Sequence, residues 1–285
     1  MASIGIIVHH QRAQASELGR DAVAWLEERG HEVRLPLKDA GVLGMPERGS
    51  ADDTFARGLD VAISLGGDGT MLRTVDLVAG EEVPVIGVNV GQMGYLSEVE
   101  PPGLRMALKR FLAGSYEVEE RMMLQASVEA EGFEAGSRYL ALNEAVLEKT
   151  PMGHTVRLGV TVDGETFTSY AADGLIVATP TGSTAYAFSA RAPIVEPTHR
   201  CLVLTPVAPH MLFDRSLVFA PSTRLRIEVL SHRPATLSVD GSNLGTLREG
   251  DAVMCRAAGL SARLVTFGPR DFLRILKSKF GLTDR

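Results

Sequence analysis

Val61-Ala62-Ile63-Ser64-Leu65-Gly66-Gly67-Asp68-Gly69-Thr70-Met71-Leu72-Arg73 decides the fold. An apolar run ends in glycines and passes directly into a helical pattern, which is how a buried strand turns into a helix. The same alternation surrounds it. Ile4–His9, His31–Leu35, Val61–Leu65 and Val83–Val88 read as strands. Between and after them, Ala15–Arg29, a short helix from about Thr70, and Leu104–Leu112 carry apolar residues at helical spacing. Strands alternating with helices predict a parallel sheet covered by helices. Residues 38–58 lack periodicity and are rich in Gly, Pro and charge, so a loop holding at most a short helix is expected there. From about residue 120 the texture changes. Leu124–Ala130, Val156–Val162, Phe167–Tyr170, Leu175–Ala178, Leu202–Thr205, Leu225–Leu230, Leu237–Val239 and Val253–Ala257 read as strands, and Asp163-Gly164 marks a tight hairpin. The expected architecture is an α/β N-terminal domain with a parallel sheet, followed by a mostly-β C-terminal domain.

Composition narrows the class of protein. A chain of 285 residues that is 45% hydrophobic and 22% charged has ordinary globular usage, which excludes collagen-like, coiled-coil and disordered chains. The net charge of −6 gives no general footprint for nucleic acid or an anionic membrane. The first apolar run, Ile4–Val8, is too short to span a bilayer and has no basic lead-in. Two cysteines, Cys201 and Cys255, make neither a disulfide framework nor a zinc site and fit a reducing compartment. A cytoplasmic protein is expected, without a nucleic-acid or membrane partner.

Three segments carry chemistry. Gly66-Gly67-Asp68-Gly69-Thr70 presents backbone N–H groups at the positive end of a helix, where glycines let a phosphate approach the main chain. It is not a Walker loop, since no Lys-Ser/Thr follows, nor the dinucleotide fingerprint, since Leu72 stands where a third glycine is needed. A carboxylate inside such a turn repels the ligand unless it binds a metal or takes a proton from a nucleophilic hydroxyl. The plainer explanation is a glycine-rich turn capped by Asp68. The second segment, Asp173-Gly174 with Thr179-Pro180-Thr181-Gly182-Ser183-Thr184-Ala185-Tyr186, places hydroxyls at the start of a helical pattern over Ser183–Ala190. Ser183 or Thr184 can cap that helix and leave donors for a ligand, or simply cap it. The third, Asn143-Glu144, is polar inside the apolar stretch Tyr139–Leu147 and suits a ribose diol or adenine edge, while an edge strand facing water explains it equally. His9-His10 follows the first strand, at the end where open parallel sheets place ligands. Residues 263–285 hold six basic and two acidic side chains, and Phe272, Leu273, Leu276 and Phe280 share a helix face whose other side is solvated. No Gly-x-Ser-x-Gly elbow supports Ser64 or Ser189 as a hydrolase nucleophile.

Together these segments closely resemble the NAD kinase family. The matches are Gly66–Thr70 with Arg73, Pro84–Asn89 running to Gly91 and Gly94, Glu119–Met122, Leu142-Asn143-Glu144, Asp173–Tyr186, Pro193-Ile194-Val195, Pro206 to His210 with Arg215, and Ser238-Val239-Asp240-Gly241. The Gly-Gly-Asp-Gly-Thr turn is shared with diacylglycerol-type lipid kinases and phosphofructokinases, whereas the Asp173–Tyr186 motif with Asn143-Glu144 is more specific. The resemblance implies residues 1–117 as a nucleotide-binding domain to which a helix in 268–285 returns, and 118–267 as a layered β domain that binds NAD. It implies transfer of the terminal phosphoryl of ATP or polyphosphate to the 2′-hydroxyl of the adenosine ribose of NAD, with Mg²⁺ and no metal ligand assigned to the protein. It makes Asp68 the catalytic carboxylate, and Gly66, Gly67, Gly69, Thr70 and Arg73 the phosphate loop. Asp68, Gly69, Asn143, Glu144, His154, Asp173, Thr184, Ala185, Tyr186 and Ser189 bind the dinucleotide, and the chain assembles as a homodimer or homotetramer. Two rivals are a lipid kinase using the same turn and a catalytically silent NAD(P)-binding sensor. The chain departs from the pattern at Ser189-Ala190-Arg191-Ala192-Pro193, where the family usually reads Ser-Ala-Gly-Gly-Pro. A positive φ there is not expected of Arg191. Ala171, Ser242 and His9-His10 also depart.

Overall fold

The computed structural model describes every residue except 92–93, 135, 151–153, 270 and 283–285. It divides into two compact units, Met1–Glu120 with Ala262–Arg285, and Arg121–Ser261.

In the first unit β1 (Ser3–Val8), α1 (Ala13–Glu27), β2 (Glu32–Pro36), α2 (Leu37–Leu43), β3 (Gly49–Ser50), α3 (Asp52–Phe55), β4 (Val61–Gly66), α4 (Asp68–Val78), β5 (Val85–Asn89) and α5 (Leu104–Leu112) alternate along the chain. The strands pair in parallel in the order β3-β2-β1-β4-β5. β4 and β5 are buried at every position, as strands with both faces covered must be. Ile6, Ile63, Leu65, Ile86 and Val88 from the sheet pack with Val23 and Leu26 of α1 and Leu108 of α5. Because the strands are parallel, their C-terminal ends bring Val8, Gly66 and Asn89 to one edge of the sheet, where loops gather a ligand.

Two long strands, β6 (Glu117–Glu129) and β17 (Ala252–Thr266), run from one unit into the other. Between them lie β7 (Arg138–Ala141), β8 (Glu144–Lys149), β9 (Val156–Val162), β10 (Glu165–Ala172), β11 (Gly174–Ala178), α6 (Tyr186–Ser189), β12 (Leu202–Val207), β13 (Leu217–Phe219), β14 (Leu225–Val229), β15 (Ala235–Val239) and β16 (Ser242–Leu247). After them come β17 (Ala252–Thr266), whose Leu264 pairs in parallel with Val85 of β5, and the terminal α7 (Phe272–Phe280) of the first unit. In the second unit β10-β9-β14-β17 form one antiparallel layer, which β6 and β7 extend. β13-β12-β11-β8-β15-β16 form a six-stranded antiparallel sheet. Leu158, Tyr170 and Ile227 of the first layer meet Leu147, Val177, Leu204 and Leu237 of the second in one core.

Four local expectations change. Residues 38–58 hold α2 and α3 rather than a loop with one short helix. α2 contains Gly41 and ends at Gly44 in the left-handed region, and Asp39 within it is fully buried against groups distant in sequence, so nothing periodic announces it. The helix expected over Ser183–Ala190 is a 3₁₀ turn, Thr181–Thr184, followed by α6, with Ala185 (ψ −127°) breaking the two apart. β8 is an interior strand between β11 and β15, not an edge. Arg191 takes φ 66° despite being non-glycine. It sits just past α6 in a Schellman cap, with Ala192 N–H donating to the Ala187 carbonyl and Arg191 N–H to that of Phe188, both at 2.9 Å. A left-handed non-glycine residue costs about 1–2 kcal/mol, partly offset by the smaller entropy it loses on folding. Arg191→Gly is therefore expected to stabilise the protein by about 0.5–1 kcal/mol in chemical denaturation.

Candidate active site

The first unit forms a cleft of about 560 Å³ at the C-terminal edge of its sheet, lined by the loop after β1, the Gly67–Thr70 turn, Arg73, Gly94 and Lys279. β4 enters the turn and α4 leaves it, with Gly67 extended (φ −97°, ψ −167°) as the cap. Thr70 and Met71 N–H both return to the Gly67 carbonyl, so the N–H groups that precede them have no helical acceptor and face the positive end of the helix. The three glycines differ in purpose. A side chain at Gly66 would overlap Thr70 Oγ1, so Gly66 serves packing, while Gly67 and Gly69 have open space where a Cβ would stand.

Asp68 begins α4, and its carboxylate is seated by two backbone donors, Tyr95 N–H at 3.0 Å and Leu96 N–H at 3.2 Å. Gly94 closes the seat, since a side chain there would overlap the Asp68 carboxylate. Hydrogen bonds to a charged acceptor contribute roughly 1.5–3 kcal/mol each, enough to fix the rotamer. Burial and then the Asp68 charge push the Tyr95 hydroxyl above its usual range. Lys279 of α7, exposed like the rest of the basic face of that helix, stands 4.3 Å from the centre of the Tyr95 ring. Arg12 lines the cleft and donates to the Val90 carbonyl. Arg73 also lines it, but its guanidinium grips Asp39.

In the second unit the polar motifs converge around the start of β8. Asp240 accepts hydrogen bonds from three successive N–H groups, Leu142 at 2.7 Å, Asn143 at 2.8 Å and Glu144 at 3.1 Å. Thr179 donates to the Leu142 carbonyl, and the 3₁₀ turn lies so close to Asn143 that a side chain at Gly182 would overlap the Asn143 carbonyl. Ser183 is spent on structure: its hydroxyl donates toward the Pro180 and Val195 carbonyls and accepts from Val195 N–H. Thr184 turns back to the Thr181 carbonyl. Glu144 is buried, with Oε2 lacking any partner. Burial first, then the Asp240 charge, lift its pKa to about 8 against the pull of the Tyr186 N–H, so it is largely protonated at neutral pH. Asp173, paired with Lys149 at 2.8 Å, shares with Tyr186, Glu148 and Asn243 a pocket of about 380 Å³. Ser189 is exposed at the end of α6, and His154 is exposed and outside that pocket's lining. Asp39, Gly94, Lys279 and Asp240 had no role in the sequence reading; Asp240 and Gly94 lay inside matched motifs, and nothing in the local pattern marked Asp39.

Comparison with known proteins follows the same division. A family model described as the ATP-NAD kinase N-terminal domain matches residues 4–116, and one described as the ATP-NAD kinase C-terminal domain matches residues 142–267. An NAD kinase of Heliobacterium modesticaldum is 41% identical over 280 residues, 98% of each chain. An NAD kinase of Syntrophotalea carbinolica is 38% identical across 100% of both chains. Yeast NADH kinase complexed with NADH superposes with TM-score 0.92 at 24% identity, covering 100% of this chain and 89% of its own. An NAD kinase from Archaeoglobus fulgidus in complex with ATP gives 0.74 at 24% identity over 98% of both chains, and these two solved structures establish the likeness of fold.

The raised Glu144 pKa is a stability statement. Between its ordinary 4.5 and about 8 the folded chain holds a proton that the unfolded chain has released, so this contribution is full below pH 4.5 and is lost as pH rises to about 8. Glu144→Gln removes that loss, and its melting temperature relative to the parent is expected to be higher at pH 8 than at pH 5 by more than about 3 °C.

Proposed function

Because the chain belongs to the NAD kinase family, and so to the phosphotransferases, we propose that it moves the terminal phosphoryl group of ATP to the 2′-hydroxyl of the adenosine ribose of NAD, giving NADP. The observation that carries the chemistry is the seat of Asp68: a carboxylate fixed by two backbone N–H groups beside two glycines that leave the main chain open. Phosphoryl transfer asks for alignment and charge neutralisation more than covalent work. The open N–H groups at the start of α4 meet phosphate oxygens. Asp68 takes the proton of the 2′-hydroxyl as that oxygen attacks phosphorus and the bond to the leaving diphosphate breaks. In the reacting complex the hydroxyl must come within hydrogen-bond reach of Asp68. Each Asp68 oxygen that accepts one N–H keeps a further lone pair for this.

For the dinucleotide we assign Asn143, Glu144, Asp173, Thr184, Ala185, Tyr186, Ser189 and His154. Support is strongest at Glu144, whose buried, unpartnered oxygen suits a ligand group, and at Asp173 and Tyr186, which share a pocket. As a protonated acid Glu144 can donate as well as accept. Among the described residues no three His, Cys, Asp or Glu side chains gather to hold a metal. Mg²⁺ enters this reading with the donor's phosphates, where it supplies charge neutralisation, and no step runs through a protein-bound ion. Polyphosphate as an alternative donor, a homodimer or homotetramer, and a cytoplasmic location complete the reading on the strength of the resemblance. No helix among the described residues is long and apolar enough to cross a membrane.

Incubation with NAD, Mg²⁺ and either ATP or polyphosphate, followed by measurement of NADP, tests the activity and the donor. NADP is expected; phosphorylated diacylglycerol or sphingosine base without NADP would instead identify a lipid kinase. Asp68→Asn keeps NAD binding within about threefold, while turnover falls at least about 100-fold, the lower bound for losing a general base. Unchanged turnover removes Asp68 from the mechanism. Gly94→Ala, which pushes a methyl group into the Asp68 carboxylate, is expected to lower turnover by a similar factor of about 100 with the fold intact by circular dichroism.

A further inference from the structure

Under the wall of the cleft in the first unit lies a charge cluster that the phosphate turn does not use. Asp39 of α2 has a side chain with no exposed surface. Its Oδ1 accepts from Val8 N–H at 2.7 Å and Arg73 Nη2 at 2.8 Å, and its Oδ2 accepts from Arg73 Nη1 at 2.8 Å. Arg73 Nη2 also donates to the Val8 carbonyl at 2.8 Å, and Nη1 lies 3.0 Å from His10 Nε2. All four hydrogens on the two Nη atoms therefore point at protein acceptors, which leaves Arg73 only its Nε–H for a ligand.

His10 is placed differently. It lines the cleft with about a third of its side chain exposed (37%). A guanidinium can only donate, so a ring nitrogen 3.0 Å from Nη1 and farther, at 3.3 Å, from Asp39 Oδ2 is an acceptor. When Nε2 of a neutral imidazole accepts, the ring proton is on Nδ1, and that N–H is the donor His10 has left. The same pair holds the chain that carries the ring, since Val8 is bonded through both its N–H and its carbonyl just before His9-His10. We propose that His10 is a ligand for the phosphates of the phosphoryl donor through Nδ1–H, and that Asp39 and Arg73 are positioning residues that impose this tautomer. The inference rests on the cleft being the donor site. A donor fixed in advance by buried partners loses little freedom when the anion arrives.

Nitrogen-15 NMR of protein labelled in its imidazole rings, with His10 identified by its loss in His10→Asn, reads the tautomer directly. A protonated Nδ1 and bare Nε2 are expected; protonation at Nε2 alone overturns the proposal. His10→Asn, whose amide reaches the Nδ1 position, should keep the KM for ATP within about threefold, while His10→Gln, whose amide reaches only the Nε2 position, should raise it about tenfold, the loss of one hydrogen bond to a charged group. Asp39→Asn/Arg73→Leu, which strands no buried charge, should leave His10 with mixed tautomers and raise the KM for ATP about tenfold, with the KM for NAD within about twofold. Equal increases in both KM values, or an unchanged KM for ATP in His10→Gln, overturn it. Absence of NADP from the parent enzyme would overturn the proposed function instead. Calorimetric titration of MgATP into parent and His10→Gln then still decides the inference: about tenfold weaker binding by the variant supports it and equal binding refutes it.

Discussion

A carboxylate held by backbone N–H groups recurs in both units, and the candidate sites depend on it. Asp68 takes two such bonds from the loop after Gly94, and Asp240 takes three from Leu142, Asn143 and Glu144. Backbone donors are rigid, so each bond fixes a side chain to a chain segment at once. In the first unit the result is a carboxylate held beside the glycine turn. In the second, a loop is drawn tight enough to bury Glu144 beside another acid.

Asp68 and Glu144 sit in different surroundings. Asp68 lines the cleft of the first unit, and each of its oxygens accepts one backbone N–H, which leaves lone pairs for a further hydrogen bond. Glu144 is taken out of water next to Asp240 and holds its proton to about pH 8. For Glu144 it is environment, burial beside another acid, rather than residue type that keeps the proton in place.

Much of this was legible from residue order. The strand, glycine turn and helix at Val61–Arg73 were readable because an apolar run followed by glycines has few other solutions. The β texture after residue 120 was readable for the same reason, and Asp163-Gly164 does form the turn, with φ of 50° and 92°. The 3₁₀ turn at Thr181 was mistaken for the start of a longer helix, because Gly182 must fit against the Asn143 carbonyl and Ser183 must bond the Val195 backbone, contacts that no local pattern contains. An edge strand stayed open at Asn143-Glu144 because alternation does not tell which strands flank β8.

The sequence by itself determined the α/β-then-β order, the glycine turn with its acid, and the motifs that place the chain in its family, since these depend on neighbours along the chain and on residue chemistry. Only the tertiary structure decided that Arg73 faces Asp39, that Gly94 closes on Asp68, and that Glu144 keeps its proton. Each of these joins groups between 26 and 96 residues apart, such as Asp39 with Arg73 and Glu144 with Asp240, and burial and distance of that kind exist only once the chain has folded.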